Sequence, residues 1–298
     1  MFNPKEILKL AQTGKYAIGS FNFSTAEILK AIVLAAKELK SPIIVSTSEG
    51  EASFLGMREA AALVEAWSIA TKLPIILNLD HGKTPELIKK AIAAGYSAIH
   101  FDGSHLPYLE NLAQTKKVVD YVRGVEKTFD RQIIVEGELG YLRGSSSVHK
   151  EALKVESEDM TSPEQAEDFI AHSGVDSLAV VIGNAHGVFA QGQEQLDLGR
   201  LDEIRRVVGT QAFLVLHGGS GIPEKDIKKA IKLGIVKINI NTELRVAYKE
   251  AIEKQIKEEP TETTPYKIMT PALEAVKIVS GEKIKLFGSK NKLKDLRI

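Results

Sequence analysis

Cysteine is missing from all 298 residues, which excludes disulfides, thiolate zinc ribbons and a thiol nucleophile. Neither sign of charge is in excess. The 39 basic and 39 acidic side chains cancel, which argues against a nucleic acid or membrane surface found through bulk electrostatics. Long apolar runs are also lacking: stretches such as Ala31 to Ala36 and Leu178 to Ile182 fall far short of the ~20 residues of a spanning helix. The opening, Met1 to Lys9, has no signal-peptide core. The expectation is a soluble cytoplasmic protein with neither membrane nor nucleic-acid partners. No G-x-G-x-x-G follows the first strand, which disfavours a dinucleotide fold. No His-x-His occurs, so a common metal-hydrolase arrangement is missing too.

What the chain does have is alternation. Short β-branched runs predict strands at Tyr16–Ser20, Pro42–Ser46, Ile75–Leu79, Ala98–Phe101, Ile133–Glu138, Ser177–Val181, Phe213–Leu216 and Val236–Ile240. Helix-period segments follow each, at Ala26–Leu39, Met57–Thr71, Pro85–Ala94, Leu109–Lys127, Pro163–His172, Leu201–Val208, Glu224–Leu233 and Glu243–Glu258. Thr84, Ser162 and Pro223 mark helix starts, and Gly95, Gly174 and Gly234 mark helix ends. Eight evenly spaced βα units favour a closed (β/α)8 TIM barrel over an open doubly wound sheet, with residues 1–298 as one domain. Residues 260–298, with a short helix at Pro271–Val279 and a basic end, are expected to pack on the barrel or on a partner subunit of a homodimer or homotetramer. The connection from Leu139 to Met160, rich in glycine and serine, reads as a mobile lid.

In such a barrel the chemistry sits at the C-terminal ends of the strands. Those ends carry Ser46-Thr47-Ser48, Asp80-His81-Gly82, Asp102-Gly103-Ser104, Glu136-Gly137-Glu138, His186-Gly187, His217-Gly218-Gly219-Ser220 and Asn239-Ile240-Asn241-Thr242. Strand ends that only pack need no such convergence of His, Asp and Glu. His81, His186 and His217, each followed by glycine, can face one Zn²⁺ and leave positions open for substrate. Asp80, beside His81, either joins the metal or moves a proton next to it. Asp102 and Glu138 suit a second cation or support the first set of ligands. Glu136 reads as an ion-paired strand residue, His100 as a core histidine, and His105, His149 and His172 as exposed. The glycine turns after strands seven and eight read as a phosphate cradle.

Together these residues resemble the class II, metal-dependent ketose-bisphosphate aldolases, the fructose- and tagatose-bisphosphate enzymes. The match lies in Leu79-Asp80-His81-Gly82, Phe101-Asp102-Gly103-Ser104, Val135-Glu136-Gly137-Glu138-Leu139-Gly140, Ile182-Gly183-Asn184-Ala185-His186-Gly187, Leu216-His217-Gly218-Gly219-Ser220-Gly221 and Lys237-Ile238-Asn239. The resemblance implies reversible cleavage of a sugar bisphosphate, foremost fructose 1,6-bisphosphate, to dihydroxyacetone phosphate and glyceraldehyde 3-phosphate. It makes His81, His186 and His217 the zinc ligands and places a second divalent ion at Asp102 and Glu138. Asp80 becomes the acid/base at the C4 hydroxyl, and Asn239 orients the enediolate. Gly187, Gly218, Gly219, Ser220, Asn241 and Thr242 would hold the phosphate, with a monovalent cation beside it, and Ser48 would contact the aldehyde half. Two positions depart from the family pattern. Asn78 stands where a histidine is common, and the loop after Gly140 has no acid before Glu151, so Glu151, Glu156 or another lid residue becomes the candidate base, or the reaction differs from ordinary aldol cleavage. The alternatives are a lyase of different substrate, a sugar-phosphate-binding protein without catalysis, and a Schiff-base aldolase using Lys237.

Overall fold

The computed structural model describes residues 2–149, 155–189 and 195–295. Its strands are β1 (Ile18–Asn22), β2 (Ile43–Ser48), β3 (Ile75–Gly82), β4 (Ala98–Phe101), β5 (Ile134–Leu139), β6 (Gly144–His149), β7 (Ser177–Val180), β8 (His186–Phe189), β9 (Phe213–Leu216) and β10 (Ile235–Ile240). Eight of them close into a parallel barrel in the order β1-β10-β9-β7-β5-β4-β3-β2, and β6 and β8 form a separate parallel pair. The (β/α)8 barrel expected from the alternation is the observed fold.

The helices are α1 (Pro4–Gly14), α2 (Ala26–Leu39), α3 (Glu49–Leu55), α4 (Met57–Thr71), α5 (Pro85–Ala94), α6 (Tyr108–Phe129), α7 (Pro163–Ser173), α8 (Leu198–Val208), α9 (Glu224–Lys232), α10 (Thr242–Glu258) and α11 (Pro265–Leu286). Thr25, Thr84 and Ser162 cap α2, α5 and α7 by accepting backbone N–H bonds. Among the described residues, no helix is long and apolar enough to cross a membrane.

Reading up the strands explains why chemistry collects at one end. Ile18, Ile44, Ile76, Ala98, Ile134 and Val236 form an apolar layer that α1 plugs with Ile7, Leu8 and Ala11. Two residues further along, on the same face of each strand, stand Ser20, Ser46, Asn78, His100 and Glu136, all buried. Ser46 Oγ lies 2.8 Å from Ser20 Oγ and accepts from Asn78 Nδ2 at 3.1 Å. Two more residues on come Asn22, Asp80 and Glu138. The interior therefore passes from hydrocarbon to hydroxyl and amide to charge, bottom to top.

Four features escape the sequence pattern. Helices α1 and α3 precede or interrupt the βα units. Strand β6 lies inside the connection expected to be a mobile lid, and it pairs in parallel with β8. Helix α11 begins six residues before the expected start and runs through Pro271. Its buried residues Ala272, Val276, Ser280 and Ile284 recur every fourth position and pack on α2 and α10, a stripe strong enough to carry the helix past the proline. The Ala17 and Asn291 amides donate to Phe287 O and Leu39 O at 3.0 and 2.8 Å, tying the tail to this chain's own barrel.

Candidate active site

At the top of β3 the ladder to β4 slips between Leu79 and Gly82, and His81 takes a left-handed φ of 51°. The slip re-aims the imidazole inward, and its backbone N–H donates to His100 Nδ1 at 3.2 Å. His217 follows β9, where Asn184 Nδ2 donates to its carbonyl at 3.0 Å. The ring centroids of His186 and His217 lie 4.9 and 4.7 Å from that of His81. Three imidazoles distant in sequence thus stand side by side.

Carboxylates decide which nitrogens face the centre. His81 Nδ1 donates to Asp102 Oδ2 at 2.8 Å, and His217 Nε2 donates to Glu136 Oε1 at 2.8 Å. That leaves His81 Nε2 and His217 Nδ1 facing each other at 3.0 Å. A contact that short needs a shared cation between the two ring nitrogens, a proton on His81 Nε2 or a metal ion in its place, and the donor set fits a divalent ion. Among the described residues neither oxygen of buried Glu138 accepts a well-aligned hydrogen bond, and Oε2 lies 3.7 Å from His81 Nδ1. Glu138, Asp102 and His81 form a second close group. The other close group of ligand atoms is Asp80, His81, His100 and His217, with the His186 ring beside it; His100 Nδ1 is already occupied and its Nε2 lies 3.1 Å from Glu138. It supports the site from the core, where sequence reasoning placed it.

The electrostatics are those of a cation site. Burial works to lower the His81 pKa, but the carboxylates of Asp80, Asp102 and Glu138 raise it to about 10. Burial, with His81 and His217 beside it, pushes His186 down to about 3, so it presents a neutral ring, the form that binds metal. Burial works to raise Asp80, yet His81, His217 and Lys237 hold it well below the usual carboxylate range. One prediction follows from the His81 value. Below about pH 10 the metal-free protein carries a proton on His81 that an incoming Zn²⁺ must displace. Calorimetry in buffers of different ionisation heat should show about one proton released per ion at pH 7–8. The apparent affinity should rise about tenfold per pH unit toward pH 10, and no release would contradict the assignment.

Asp80 is gripped at both oxygens. Asn239 Nδ2 donates to Oδ1 at 2.9 Å and Asn22 Nδ2 to Oδ2 at 3.0 Å. The buried carbonyl oxygens of both asparagines accept no hydrogen bond among the described residues. A cavity is lined by Asn22, Asp80, Ser146, His186, His217 and Asn239, and it continues over Gly187, Gly218, Ser220, Asn241 and Thr242. Gly218 has φ +62°, and a Cβ there would lie 2.0 Å from Ala185 O; only glycine lets the two imidazole-bearing turns approach so closely. The start of α10 at Thr242 adds a helix N-terminus to the cradle.

Two of the sequence-derived phosphate and aldehyde contacts do not line the cavity. Gly219 is not at the cavity: its N–H is spent on Asn239 O at 3.1 Å, and a Cβ there would strike Ile238, so it serves close packing. Ser48, opposite Asp80 in the β2–β3 register, does not line the cavity and uses its hydroxyl to cap α3. Glu151 lies outside the described residues. Lys237 is buried below the cavity, 2.7 Å from Glu136 Oε2, so Glu136 is ion-paired as its strand position suggested. Sequence reasoning missed Asn22 and Glu51. Asn22 had a signal in its place at the end of the first strand, two residues beyond Ser20.

Comparison with known proteins places the whole chain beside aldolases. The family described as fructose-bisphosphate aldolase class II matches residues 2–292. A 6-phospho-5-dehydro-2-deoxy-D-gluconate aldolase of Bacillus licheniformis is 40% identical over 293 residues, 97% of this chain and 95% of that protein. The crystal structure of the YdjI aldolase of Escherichia coli K12 superposes with a TM-score of 0.81 at 34% identity, over 98% of this chain and 100% of that one. The structure of a candidate fructose-1,6-biphosphate aldolase of Coccidioides immitis gives 0.85 at 26% identity, over 99% of both chains.

Proposed function

The chain belongs to the class II fructose-bisphosphate aldolase family, and from that premise we propose that it reversibly cleaves a phosphorylated ketose, releasing dihydroxyacetone phosphate and an aldehyde. The observation that carries this reading is one cavity in which the clamped carboxylate of Asp80, the imidazoles of His186 and His217 and a glycine-lined anion cradle meet, with the His81 ring packed against both imidazoles. The phosphate end of the ketose would rest on the Gly187, Gly218 and Ser220 turns and the start of α10. His81, His186 and His217 would hold a divalent ion, which would polarise the carbonyl and spread the charge that cleavage leaves on the ketose half. Asp80, ionised and held by two amides, accepts the proton of the hydroxyl on the carbon β to the ketone as the carbon–carbon bond breaks. In the condensation direction it returns that proton. Asn239, donating to Asp80 and adjacent to His217, keeps base and ketose half in register.

Fructose 1,6-bisphosphate and 6-phospho-5-dehydro-2-deoxy-D-gluconate share the phosphorylated carbon, the ketone and the two hydroxyls this step needs. Their aldehyde halves differ, one ending in phosphate and the other in carboxylate. We take the gluconate derivative as the preferred substrate, since the 40% identical relative bears its name. In addition, no lysine or arginine lines the cavity among the described residues to receive a second phosphate. Fructose 1,6-bisphosphate, the substrate the motifs suggest, is the second reading. The Schiff-base alternative loses support, because Lys237 does not line the cavity and is ion-paired. The test is release of dihydroxyacetone phosphate by Zn²⁺- or Co²⁺-loaded protein from each compound. The expected result is a kcat/KM at least ~10-fold higher for the gluconate derivative, a margin of about 1.4 kcal/mol, with chelator abolishing both reactions. Chelator-resistant turnover, or no product from either compound, would remove the reading.

A further inference from the structure

We propose that Glu51 and Arg245 are positioning residues that tie strand β6, at the rim of the cavity, to the carboxylate of Asp80. Resting on the function proposed above, this assigns work to two side chains outside the reacting set. Glu51 is the third residue of the short helix α3, in its first turn, and is only 6% exposed. Its Oε2 accepts from Asn22 Nδ2 at 2.9 Å and from the Ser48 N–H at 2.8 Å, and its Oε1 accepts from Arg245 Nη2 at 2.7 Å. The same Asn22 amide gives its second hydrogen to Asp80. At the other end, Arg245 Nη1 donates to the carbonyl of Ser146 on β6 at 3.1 Å, and Ser146 lines the cavity.

A continuous path therefore runs from Ser146 O through Arg245, Glu51 and Asn22 to Asp80 Oδ2. Each link is short and directional, and the planar guanidinium is what lets one side chain meet a backbone carbonyl and a carboxylate together. With Glu51 removed, one hydrogen of the Asn22 amide loses its acceptor inside a buried site, and the amide is free to rotate off Asp80. With Arg245 removed, β6 loses its tie to the α3 side of the cavity. The base would then be misplaced while the part of the phosphate cradle formed by Gly218, Ser220 and the start of α10 stays intact. The expected signature is a loss in kcat with little change in KM.

The experiment compares Arg245→Met, Glu51→Ala, the double variant and Arg245→Lys at full metal loading. Each single variant should lower kcat ~10–100-fold, as a small misplacement of a catalytic group does, with KM within ~3-fold and zinc content unchanged. The double variant should be no worse than the worse single one, because both break one path. Arg245→Lys should recover part of the loss, since an ammonium can still meet Glu51. A second readout needs no turnover. By ¹⁵N NMR the Asn22 side-chain amide should exchange at least ~10-fold faster in Glu51→Ala, and the backbone amides of residues 144–149 should lose protection in Arg245→Met. Losses that multiply, an effect on KM alone, or unchanged exchange would overturn the link. Were neither ketose cleaved by the unmodified protein, the function reading would fail while the exchange arm still decided this one.

Discussion

Asp80→Asn is expected to lower kcat for cleavage by roughly 10²–10⁴-fold, the usual loss when a positioned acid/base group is removed. KM and bound zinc should stay within a few-fold. The variant is nearly isosteric, and the surroundings can adapt. Asn22 stays tied to Glu51 and can go on donating to the new side chain's oxygen, while Asn239, whose carbonyl oxygen accepts no bond among the described residues, can flip to accept from the new amide. The fold should therefore survive while the base is lost. Rapid-mixing measurement of dihydroxyacetone phosphate release, with metal analysis of the same preparation, checks this. A loss under 10-fold would mean that another group takes the hydroxyl proton.

The second large effect concerns stability. Glu136 and Lys237 are buried together below the histidines, 2.7 Å apart, and Glu136 also accepts from His217. Burial works to raise the Glu136 pKa, but Lys237 and His217 hold it well below the usual carboxylate range. Because the folded-state value is depressed, its stabilisation is present above the unfolded value of ~4.3 and is lost as pH falls below it. Lys237→Met should strand the carboxylate and cost about 3–5 kcal/mol, a fall in Tm on the order of 10 °C. Adding Glu136→Leu should restore much of that stability without restoring zinc affinity, since His217 would then lack the acceptor that fixes its tautomer. Paired denaturant melts and zinc titrations read both quantities. A Lys237→Met protein as stable as the parent would contradict the buried-pair account.

The barrel was legible because its evidence is periodic. Eight apolar runs, capped helices such as Thr84-Pro85 and Ser162-Pro163, and polar strand ends repeat one message eight times. Single, unrepeated features escaped. Helix α3 is set by one capping box, Ser48 with Glu51. Strand β6 is an exposed glycine- and serine-rich run whose partner, β8, lies beyond a distant helix; its parallel pairing is a long-range contact that no local pattern announces. In the site, His81, His186 and His217 stood out because each precedes a glycine at a strand end. Gly219 has the same kind of neighbours, and only coordinates reveal that its amide is already spent. Glu51 and Arg245, 194 positions apart in sequence, carry no mark of their partnership at all.

The most direct test of the whole account is the anomalous zinc signal in a crystal of the zinc-loaded protein. The account predicts one ion ~2.0–2.1 Å from His81 Nε2, from His217 Nδ1 and from a ring nitrogen of His186, with Asp80 close by. Zinc found only between Asp102 and Glu138, or bound with the His186 ring turned away, would contradict it.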